Sequence, residues 1–252
     1  MLKLLCTIKL IITMGIINSI IDIASNKSTL IYKQQITPKT WHLKLKVNSA
    51  DFKNYIPGEH LRVLVGRNHN ANLSDMVRTY SVWNYNEATQ VVDLAVCTFS
   101  GGSGARWANE IAIGDTVLYG GPKGKFTIDT AAQNYLFLGD ISALSHLYEL
   151  SRNAGIAKNI SGIIYADSKD HIFPDLNNGT RFGYLQNEAN IVETVIAEIV
   201  WNSISQENTL IYIAGETAFC TGLNNYFTKV LKWPAKQIKT KPFWHPDKKG
   251  LQ

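Results

Sequence analysis

The sequence predicts a small antiparallel β-barrel followed by an α/β domain with a parallel sheet. Between Leu30 and Ile128, short segments rich in β-branched and aromatic residues are separated by proline- and glycine-containing turns, as in a closed barrel. Beyond that region, short apolar runs alternate with helical stretches, which indicates a parallel sheet. The predicted units are an N-terminal amphipathic helix or extension at residues 1–28, a barrel domain at 29–129 and an α/β domain at 130–252.

The elements of both domains follow from the same patterns. In the first domain a helical insert at residues 105–111 accompanies six predicted strands, enough to close a small barrel; these lie at 30–33, 41–47, 61–65, 79–83, 91–98 and 116–120. In the second domain, strands at 135–138, 161–165 and 210–214 alternate with helices at 142–152 and 216–231.

The first 28 residues allow three interpretations. Apolar residues recur at helical spacing, as in an amphipathic helix that packs on the body of the protein. Lys3 and Lys9 precede an apolar run that is too short to span a bilayer, so a helix on a membrane surface and a cleaved signal remain alternatives.

Composition limits the class of protein. Cys6, Cys97 and Cys220 lie far apart, which excludes the close spacing of zinc or iron–sulfur ligands and favours a reducing cytoplasm. The net charge of +5 comes from scattered basic residues, and a phosphate-bearing cofactor or an anionic substrate accounts for it as well as nucleic acid would. The cysteine spacing therefore predicts a cytoplasmic protein without a bound metal. Composition alone does not choose between these partners, and the prediction of no nucleic-acid partner depends on the motifs.

The first candidate for a binding site is Arg78-Thr79-Tyr80-Ser81, at the start of a predicted strand. A guanidinium can pair with a phosphate, a ring can pack on a flavin, and a hydroxyl can reach the flavin edge near N5. An ordinary strand with an exposed arginine is the alternative.

The second candidate is the glycine-rich loop Ser100-Gly101-Gly102-Ser103-Gly104, which opens the predicted helical insert. Backbone N–H groups at the positive end of a helix form a site for pyrophosphate. Taken alone, the loop is equally a flexible turn with Ser103 as the helix cap. Its position about twenty residues after Arg78 makes a joint dinucleotide site the better interpretation.

A third site is predicted at the ends of the strands of the second domain. Gly139 follows one strand and a helix begins at Ser142, so backbone donors are available for a diphosphate. Asp167 follows the next strand, where a carboxylate accepts hydrogen bonds from a ribose and repels a 2′-phosphate. Ser168 and Lys169 are able to accommodate that phosphate instead, so NADH and NADPH both remain open.

Several motifs together resemble the siderophore-interacting proteins, ferric-siderophore reductases of the ferredoxin–NADP reductase superfamily. The resemblance covers roughly residues 30–250 with matching order and spacing. The motifs that carry it are Arg78-Thr79-Tyr80-Ser81, Gly104-Ala105-Arg106-Trp107-Ala108, Gly114-Asp115, Gly120-Gly121-Pro122-Lys123-Gly124, Gly139-Asp140-Ile141-Ser142-Ala143-Leu144, Ala214-Gly215-Glu216, and Phe243-Trp244 before Gly250.

The resemblance implies an FAD-binding barrel and a nucleotide-binding domain. The residues assigned to FAD are Arg78, Thr79, Tyr80, Ser81, Val96, Cys97, Thr98, Gly102, Ser103, Gly104, Ala105, Arg106, Trp107 and Trp244. Those assigned to the nucleotide are Gly139, Asp140, Ser142, Ala143, Asp167, Gly215 and Glu216. Relatives often carry histidine at the position of Cys97, which is therefore interpreted as a small residue lining the barrel and not as a redox thiol. Trp244 either stacks on the flavin or fills the domain interface.

The implied activity is reduction of a ferric siderophore or other ferric chelate by NADPH or NADH through FAD, with the flavin and no side chain as the catalytic group. Lys241, Lys248 and Lys249 are the candidate contacts to an anionic chelate, unless they are only a solvated tail. Three alternatives stay open: a reduced ferredoxin as the donor, a protein or small organic molecule as the acceptor, and a module that binds ferric chelates without turnover.

Overall fold

The structure, a computed structural model, describes residues 26–66, 76–179, 182–201 and 204–247. The predicted N-terminal helix at residues 1–28 lies almost wholly outside these ranges. Its last residues, 26–28, instead begin the first strand, because they pair with a later strand in which Tyr119 lies opposite Asn26.

The first domain is a curled seven-stranded antiparallel sheet in the order β4-β3-β7-β1-β2-β6-β5. Its closure is completed just after β4, where the backbone N–H of Trp83 donates to the carbonyl of Asp93 in β6 at 2.9 Å. The strands are β1 (Asn26–Thr37), β2 (Thr40–Lys46), β3 (His60–Leu64), β4 (Val77–Ser81), β5 (Asn84–Asn86), β6 (Val91–Cys97) and β7 (Thr116–Lys123).

Alternation along the barrel strands builds the core. Leu43 of β2 lies opposite Leu94 of β6, and both side chains are fully buried. The six predicted strands are all present. The seventh, β5, was missed because its sequence, Asn84-Tyr85-Asn86, has no apolar alternation. The predicted helical insert is α1 (Ser103–Glu110), between β6 and β7.

The second domain is a five-stranded parallel sheet in the order β10-β9-β8-β11-β12. No helix in the described ranges is long and apolar enough to cross a membrane. The elements are β8 (Asn134–Asp140), α2 (Leu144–Arg152), β9 (Asn159–Ala166), β10 (Gly183–Gln186), α3 (Ile191–Trp201), β11 (Thr209–Glu216), α4 (Thr217–Asn225) and β12 (Ile238–Trp244). A π-helical turn at Tyr226–Val230 continues α4.

Three elements of this domain were not predicted. The two outer strands, β10 and β12, each pair on one side only, so they do not need the continuous apolar run of a central strand. Strand β12 even contains Pro242 and two lysines. Helix α3 is apolar around most of its circumference, which hides the helical period.

Buried polar groups join the two domains. Arg152 of α2 bonds Glu149, Asp175 and the carbonyl of Trp83, while Tyr55 of the barrel donates to Glu149 at 2.9 Å. Because these partners belong to both domains, the network holds the barrel in one position against the parallel sheet.

Candidate functional site

A cavity of about 750 Å³ opens between the barrel and the end of β12. That volume is in the ordinary range for a site that encloses a small molecule or a cofactor. Its wall consists of Arg78, Tyr80, Cys97, Phe99, Ser100, Gly101, Gly102, Ser103, Gly104, Ala105, Arg106, Phe243, Trp244, His245, Pro246 and Asp247.

The first turn of α1 forms one side of this cavity. Gly102 at the N-cap has no side chain with which to cap the helix, and Gly104 and Ala105 line the cavity behind it. The positive end of the helix dipole therefore borders the same cavity that Arg78 and Arg106 line. This combination suits the pyrophosphate of a dinucleotide.

Gly104 is held closely against strand β4. A Cβ at this position would lie 2.5 Å from Tyr80 Oη and 3.2 Å from Arg78 Cγ. A larger residue would therefore push the loop away from the strand. Tyr80 in turn stacks on Trp107, with ring centroids 5.7 Å apart and planes inclined by 21°. The tyrosine thus has its position set by the helix beneath it.

Cys97 ends β6 inside the cavity and is not an activated thiol. Burial raises the pKa of its thiol to about 12, and Sγ donates to the carbonyl of Ile141 at 3.4 Å. A protonated thiol at neutral pH is a poor nucleophile. Its structural contribution is a contact between the two domains.

The opposite wall is aromatic and comes from the end of β12. The rings of Trp244 and Phe99 lie 5.0 Å apart at 59°. Trp244 Nε1 donates at 2.8 Å to Oδ2 of Asp140, which is buried at the end of β8. The indole is therefore fixed by the second domain while it faces the cavity of the first.

A second cavity, of about 460 Å³, lies on the other side of β4 and shares Phe243 with the first. Side chains alternate along β4, so Arg78 and Tyr80 line the first cavity whereas Thr79 and Ser81 line the second. The second cavity is lined by Gly58, His60, Arg62, Thr79, Ser81, Lys125, Phe126, His146, Lys241, Pro242 and Phe243.

The second cavity has a positive potential. Arg62, Lys125 and Lys241 line it, and its described lining includes no carboxylate. The pKa of His60 is lowered to about 4, first by burial and then by the charges of Lys241, Lys123 and Arg62. His60 is therefore neutral at pH 7, and the described residues that an anion would meet in the cavity are cations and neutral groups.

The predicted nucleotide residues all lie at the carboxyl edge of the parallel sheet. Gly139 and Gly215 end neighbouring strands, and a Cβ on Gly139 would lie 2.6 Å from the carbonyl of Ala214. Asp167 follows β9, is exposed, and accepts from Asn187 at 2.9 Å. Glu216 caps α4 by accepting from the N–H of Phe219 at 2.8 Å.

Asp140 and Ala143 lie at the same edge but are buried, whereas Ser142 is half-buried. Asp140 accepts from the N–H of Ser142 at 2.8 Å and from its hydroxyl, and Ala143 is fully buried. Any contact of Asp140 and Ala143 with a nucleotide therefore depends on the backbone. The nucleotide site as a whole stays a prediction.

The structure also shows where the other predicted residues lie. Val96 points into the barrel core and is fully buried, because its neighbour Cys97 faces the cavity. Its predicted contact with FAD can only involve the backbone. Thr98 bonds the carbonyl of Lys39 through its N–H at 2.8 Å and does not line the cavity. Lys248 and Lys249 lie outside the described residues.

Sequence reasoning missed part of both walls. Phe243 belongs to the Phe243-Trp244 motif and Phe99 directly follows Thr98, but neither was assigned to a site. No sequence motif includes His60, Arg62 or His146. The packing of β3, β4 and α2 brings them into one cavity.

Comparison with known families identifies the barrel. Residues 27–128 match the family profile of the oxidoreductase FAD-binding domain. The match spans the barrel strands and about two fifths of the chain. No match was found among curated protein sequences.

Solved structures show the same two-domain fold. A siderophore-interacting protein from Acinetobacter baumannii superposes with a TM-score of 0.74 at 17% identity, over 88% of this chain and 91% of that one. A siderophore utilization protein from T. fusca gives a TM-score of 0.75 at 14% identity, over 90% and 94%. Phthalate dioxygenase reductase gives 0.70 at 16% identity, over 87% and 68%.

These likenesses confirm the predicted fold, a barrel of the FAD-binding type followed by a nucleotide-binding type of α/β domain. The structural neighbours include the family that the motifs resemble. The match of the barrel to the FAD-binding profile supports a flavin-dependent oxidoreductase.

Proposed function

We propose that the protein is an FAD-dependent reductase that passes electrons from NADPH or NADH to Fe(III) in an anionic chelate such as a ferric siderophore. One observation carries the proposal: a cation-lined cavity adjoins the candidate FAD cavity across strand β4 and Phe243. A negatively charged chelate would thereby be held next to the flavin, close enough for direct electron transfer.

The first cavity fits FAD. Arg78, Arg106 and the first turn of α1 would hold the pyrophosphate, and the close contact of Gly104 with Tyr80 leaves the loop where it can do so. FAD, when bound, would supply the chemistry of accepting a hydride and releasing electrons singly. The aromatic walls, among them Trp244, would exclude water from the ring.

The residues of the second cavity would bind and orient the chelate. Arg62, Lys125 and Lys241 offer charge to carboxylate, catecholate or hydroxamate oxygens, and neutral His60 adds a hydrogen-bonding group. Hard oxygen ligands hold Fe(II) less strongly than Fe(III), so reduction would release the metal. For the donor, Asp167 at the end of β9 would accept bonds from the nucleotide ribose.

An anaerobic absorbance experiment tests the proposal. The protein is loaded with FAD, titrated with NADH or NADPH, and then given a ferric chelate. We expect the flavin bands to bleach with nucleotide and to return with iron. If the bands bleach with reduced ferredoxin and with neither nucleotide, the electron donor is a ferredoxin and not NADH or NADPH. Bands that do not return with ferric chelates would exclude them as acceptors.

Substitutions of two arginines test the two cavities separately, because Arg78 of β4 lines the first cavity and Arg62 of β3 lines the second. We expect Arg78→Ala to weaken FAD binding by about 1.5–3 kcal/mol through loss of a charge-assisted contact. Arg62→Ala should retain FAD and raise KM for an anionic ferric chelate. Equal effects of both variants on FAD retention would show that the cavities are assigned wrongly.

A further inference from the structure

His60 of β3 lines the second cavity with ring nitrogens that the described part of the protein leaves unpartnered. Neither nitrogen has a hydrogen-bond partner among the described residues. The backbone of His60 is paired on both sides, with Ser81 of β4 and Lys123 of β7 opposite it. Gly124 packs closely on the ring, since a Cβ there would lie 2.9 Å from Nδ1. The position of His60 is therefore set by the barrel, while its nitrogens remain available to a ligand.

His146 of α2, the other histidine of this cavity, has partners for both nitrogens. Nε2 lies 3.0 Å from the carbonyl of Phe126, and Nδ1 lies 3.0 Å from the hydroxyl of Ser81. A carbonyl oxygen only accepts, so Nε2 carries the proton and Nδ1 accepts from Ser81. A second proton on this ring would have to reverse the bond to Ser81. His60 is therefore the histidine of the cavity that can gain a proton without changing a hydrogen bond within the described structure.

The charged groups around His60 oppose a charge on its ring as long as the cavity holds no anion. Burial and then the charges of three cations lower the pKa of His60 to about 4, against an ordinary value of 6.5. Glu59 precedes it in the chain, but its carboxylate accepts from the N–H of Ile56 at 3.0 Å and does not line the cavity. The charged side chains around His60 in the described residues are Arg62, Lys123, Lys125 and Lys241.

An anion in the cavity reverses this balance. A negative charge within hydrogen-bonding reach of a histidine raises its pKa, and a polyanion also offsets the charges of the surrounding cations. The unpartnered nitrogens of His60 line the cavity that an anion would occupy. The same ring is thus neutral in one state of the cavity and is favoured as a cation in the other.

We propose that His60 takes up a proton when a polyanionic chelate enters the second cavity and then donates a hydrogen bond to one of its ligand oxygens. The inference rests on the proposed function in taking this cavity as the chelate site. The imidazolium is a cation that forms only against a bound anion, so it favours polyanionic chelates over neutral ones. Because binding takes up a proton from solvent, the affinity for such a chelate increases as the pH falls.

Tris(oxalato)rhodate(III) is the probe. It presents carboxylate oxygens around an octahedral trivalent metal, carries three negative charges, exchanges its ligands slowly and does not titrate between pH 6 and 8. The full chain is loaded with FAD, which occupies the first cavity, and is titrated calorimetrically with the probe at pH 6 in two buffers of unequal ionisation heat. We expect about 0.5–1 proton to be taken up for each trianion bound. Between pH 8 and pH 6 the Kd should fall about two- to tenfold.

Three substitutions assign the proton and the cavity. His60→Gln keeps a hydrogen-bonding side chain that does not titrate, so proton uptake should disappear and the Kd should be the same at both pH values. Lys241→Gln should weaken binding of the trianion at both pH values, because Lys241 lines the second cavity and not the first. His171→Gln is the matched control, since His171 is a half-buried histidine after β9 that lines neither cavity. It should retain the full proton uptake.

Several results would overturn the inference. Binding of the trianion without proton uptake would do so, as would uptake that persists in His60→Gln and disappears in His146→Asn. An affinity unchanged by Lys241→Gln would show that the trianion binds elsewhere. If His60→Gln does not fold, proton NMR of the unaltered chain decides. The probe must then add one histidine ring to those that titrate between pH 5.5 and 7.5, and an unchanged number overturns the inference.

The outcomes separate this inference from the proposed function. Absence of trianion binding would refute the inference and the assignment of the second cavity to a chelate, and would leave the FAD cavity untouched. A protein that binds no FAD would refute the proposed function, and titration of the FAD-free chain and of its Lys241→Gln variant would still decide the inference. Flavin that is reduced by nucleotide and reoxidised by a ferric chelate, with no proton uptake at His60, would refute only the inference.

Discussion

Trp244 donates a hydrogen bond of 2.8 Å to the buried carboxylate of Asp140. The same oxygen accepts from the N–H of Glu216 at 2.8 Å, and the other oxygen accepts from Ser142. One carboxylate at the end of β8 thereby ties together the ends of three neighbouring strands and a wall of the candidate FAD cavity. Gly215 makes this possible, because a Cβ there would lie 2.6 Å from Asp140 Oδ2.

Replacing Asp140 should loosen this arrangement. Asp140→Asn replaces one accepting oxygen by an NH2 group that faces at least one N–H donor in either amide orientation, so we expect a loss of about 1.5–3 kcal/mol in the free energy of unfolding. Trp244→Phe removes only one hydrogen-bond donor, so it should lower the free energy of unfolding by less than Asp140→Asn does. Urea unfolding of the full chain measures both. Asp167→Asn, an exposed carboxylate at the end of the next strand, should stay within about 0.5 kcal/mol of the unaltered protein.

Gly104 should tolerate no side chain. Gly104→Ala places a methyl group 2.5 Å from Tyr80 Oη, and the ring of Tyr80 cannot yield easily because it stacks on Trp107. We expect FAD to bind about tenfold more weakly, equal to about 1.4 kcal/mol, as measured by fluorescence titration of the apoprotein.

Gly102→Ala is the control within the same loop. Its Cβ would lie at an ordinary 3.5 Å from Ser100 Oγ, and its backbone N–H is retained. We expect an effect on FAD affinity of no more than about threefold. If both alanine substitutions weaken FAD binding to a similar extent, FAD affinity depends on the flexibility of the loop and not on its close contact with β4.

Arg152 should contribute strongly to the stability of the whole chain. Its guanidinium lies between Glu149 and Asp175, whose side chains are 4% and 0% exposed. Arg152→Met leaves two buried carboxylates without their cation, so we expect a loss of about 3–5 kcal/mol in chemical unfolding. Lys239→Ala removes the partly exposed ion pair with Asp129 at 3.9 Å and should change stability by at most about 1 kcal/mol. If Arg152→Met lowers the free energy of unfolding by less than about 1 kcal/mol, as for an exposed ion pair, the assigned role is contradicted.

Stability should fall in mild acid because of His146. Its pKa is about 4 in the folded protein and 6.5 as an ordinary value, so between these values the unfolded chain binds more protons. The stabilisation is complete above about pH 6.5 and is lost as the pH falls toward 4. Between pH 7.5 and 5.5 we expect this histidine to account for about 1 kcal/mol.

The comparison of variants isolates this contribution. His146→Asn should reduce the difference between the free energies of unfolding at the two pH values, whereas carboxylates affect both proteins alike. His60, with its pKa also lowered to about 4, should account for part of the remaining dependence. An unchanged pH dependence in His146→Asn would show that the ring is not held neutral.

Much of the fold and one wall of the site followed from local patterns. The barrel strands have alternating side chains, and the strands at the centre of the parallel sheet are continuous apolar runs, so their residues reveal the structure directly. The glycine loop before α1 and the Arg78-Thr79-Tyr80-Ser81 segment were recognisable because their chemistry is contained in a few consecutive residues. The edge elements β5, β10 and β12 were missed, since pairing on one side imposes little pattern.

By itself, the sequence determined the order of the two domains, the candidate FAD-binding segments and the carboxyl-edge glycines, all of which depend on spacing along the chain. Only the tertiary structure decided that Thr79 and Ser81 face a different cavity from Arg78 and Tyr80. It also decided that His146 holds the hydroxyl of Ser81 and that Asp140 holds Trp244. These pairs are separated by 65 and 104 residues, and contacts at such distances arise from the packing of whole elements, which no local pattern records.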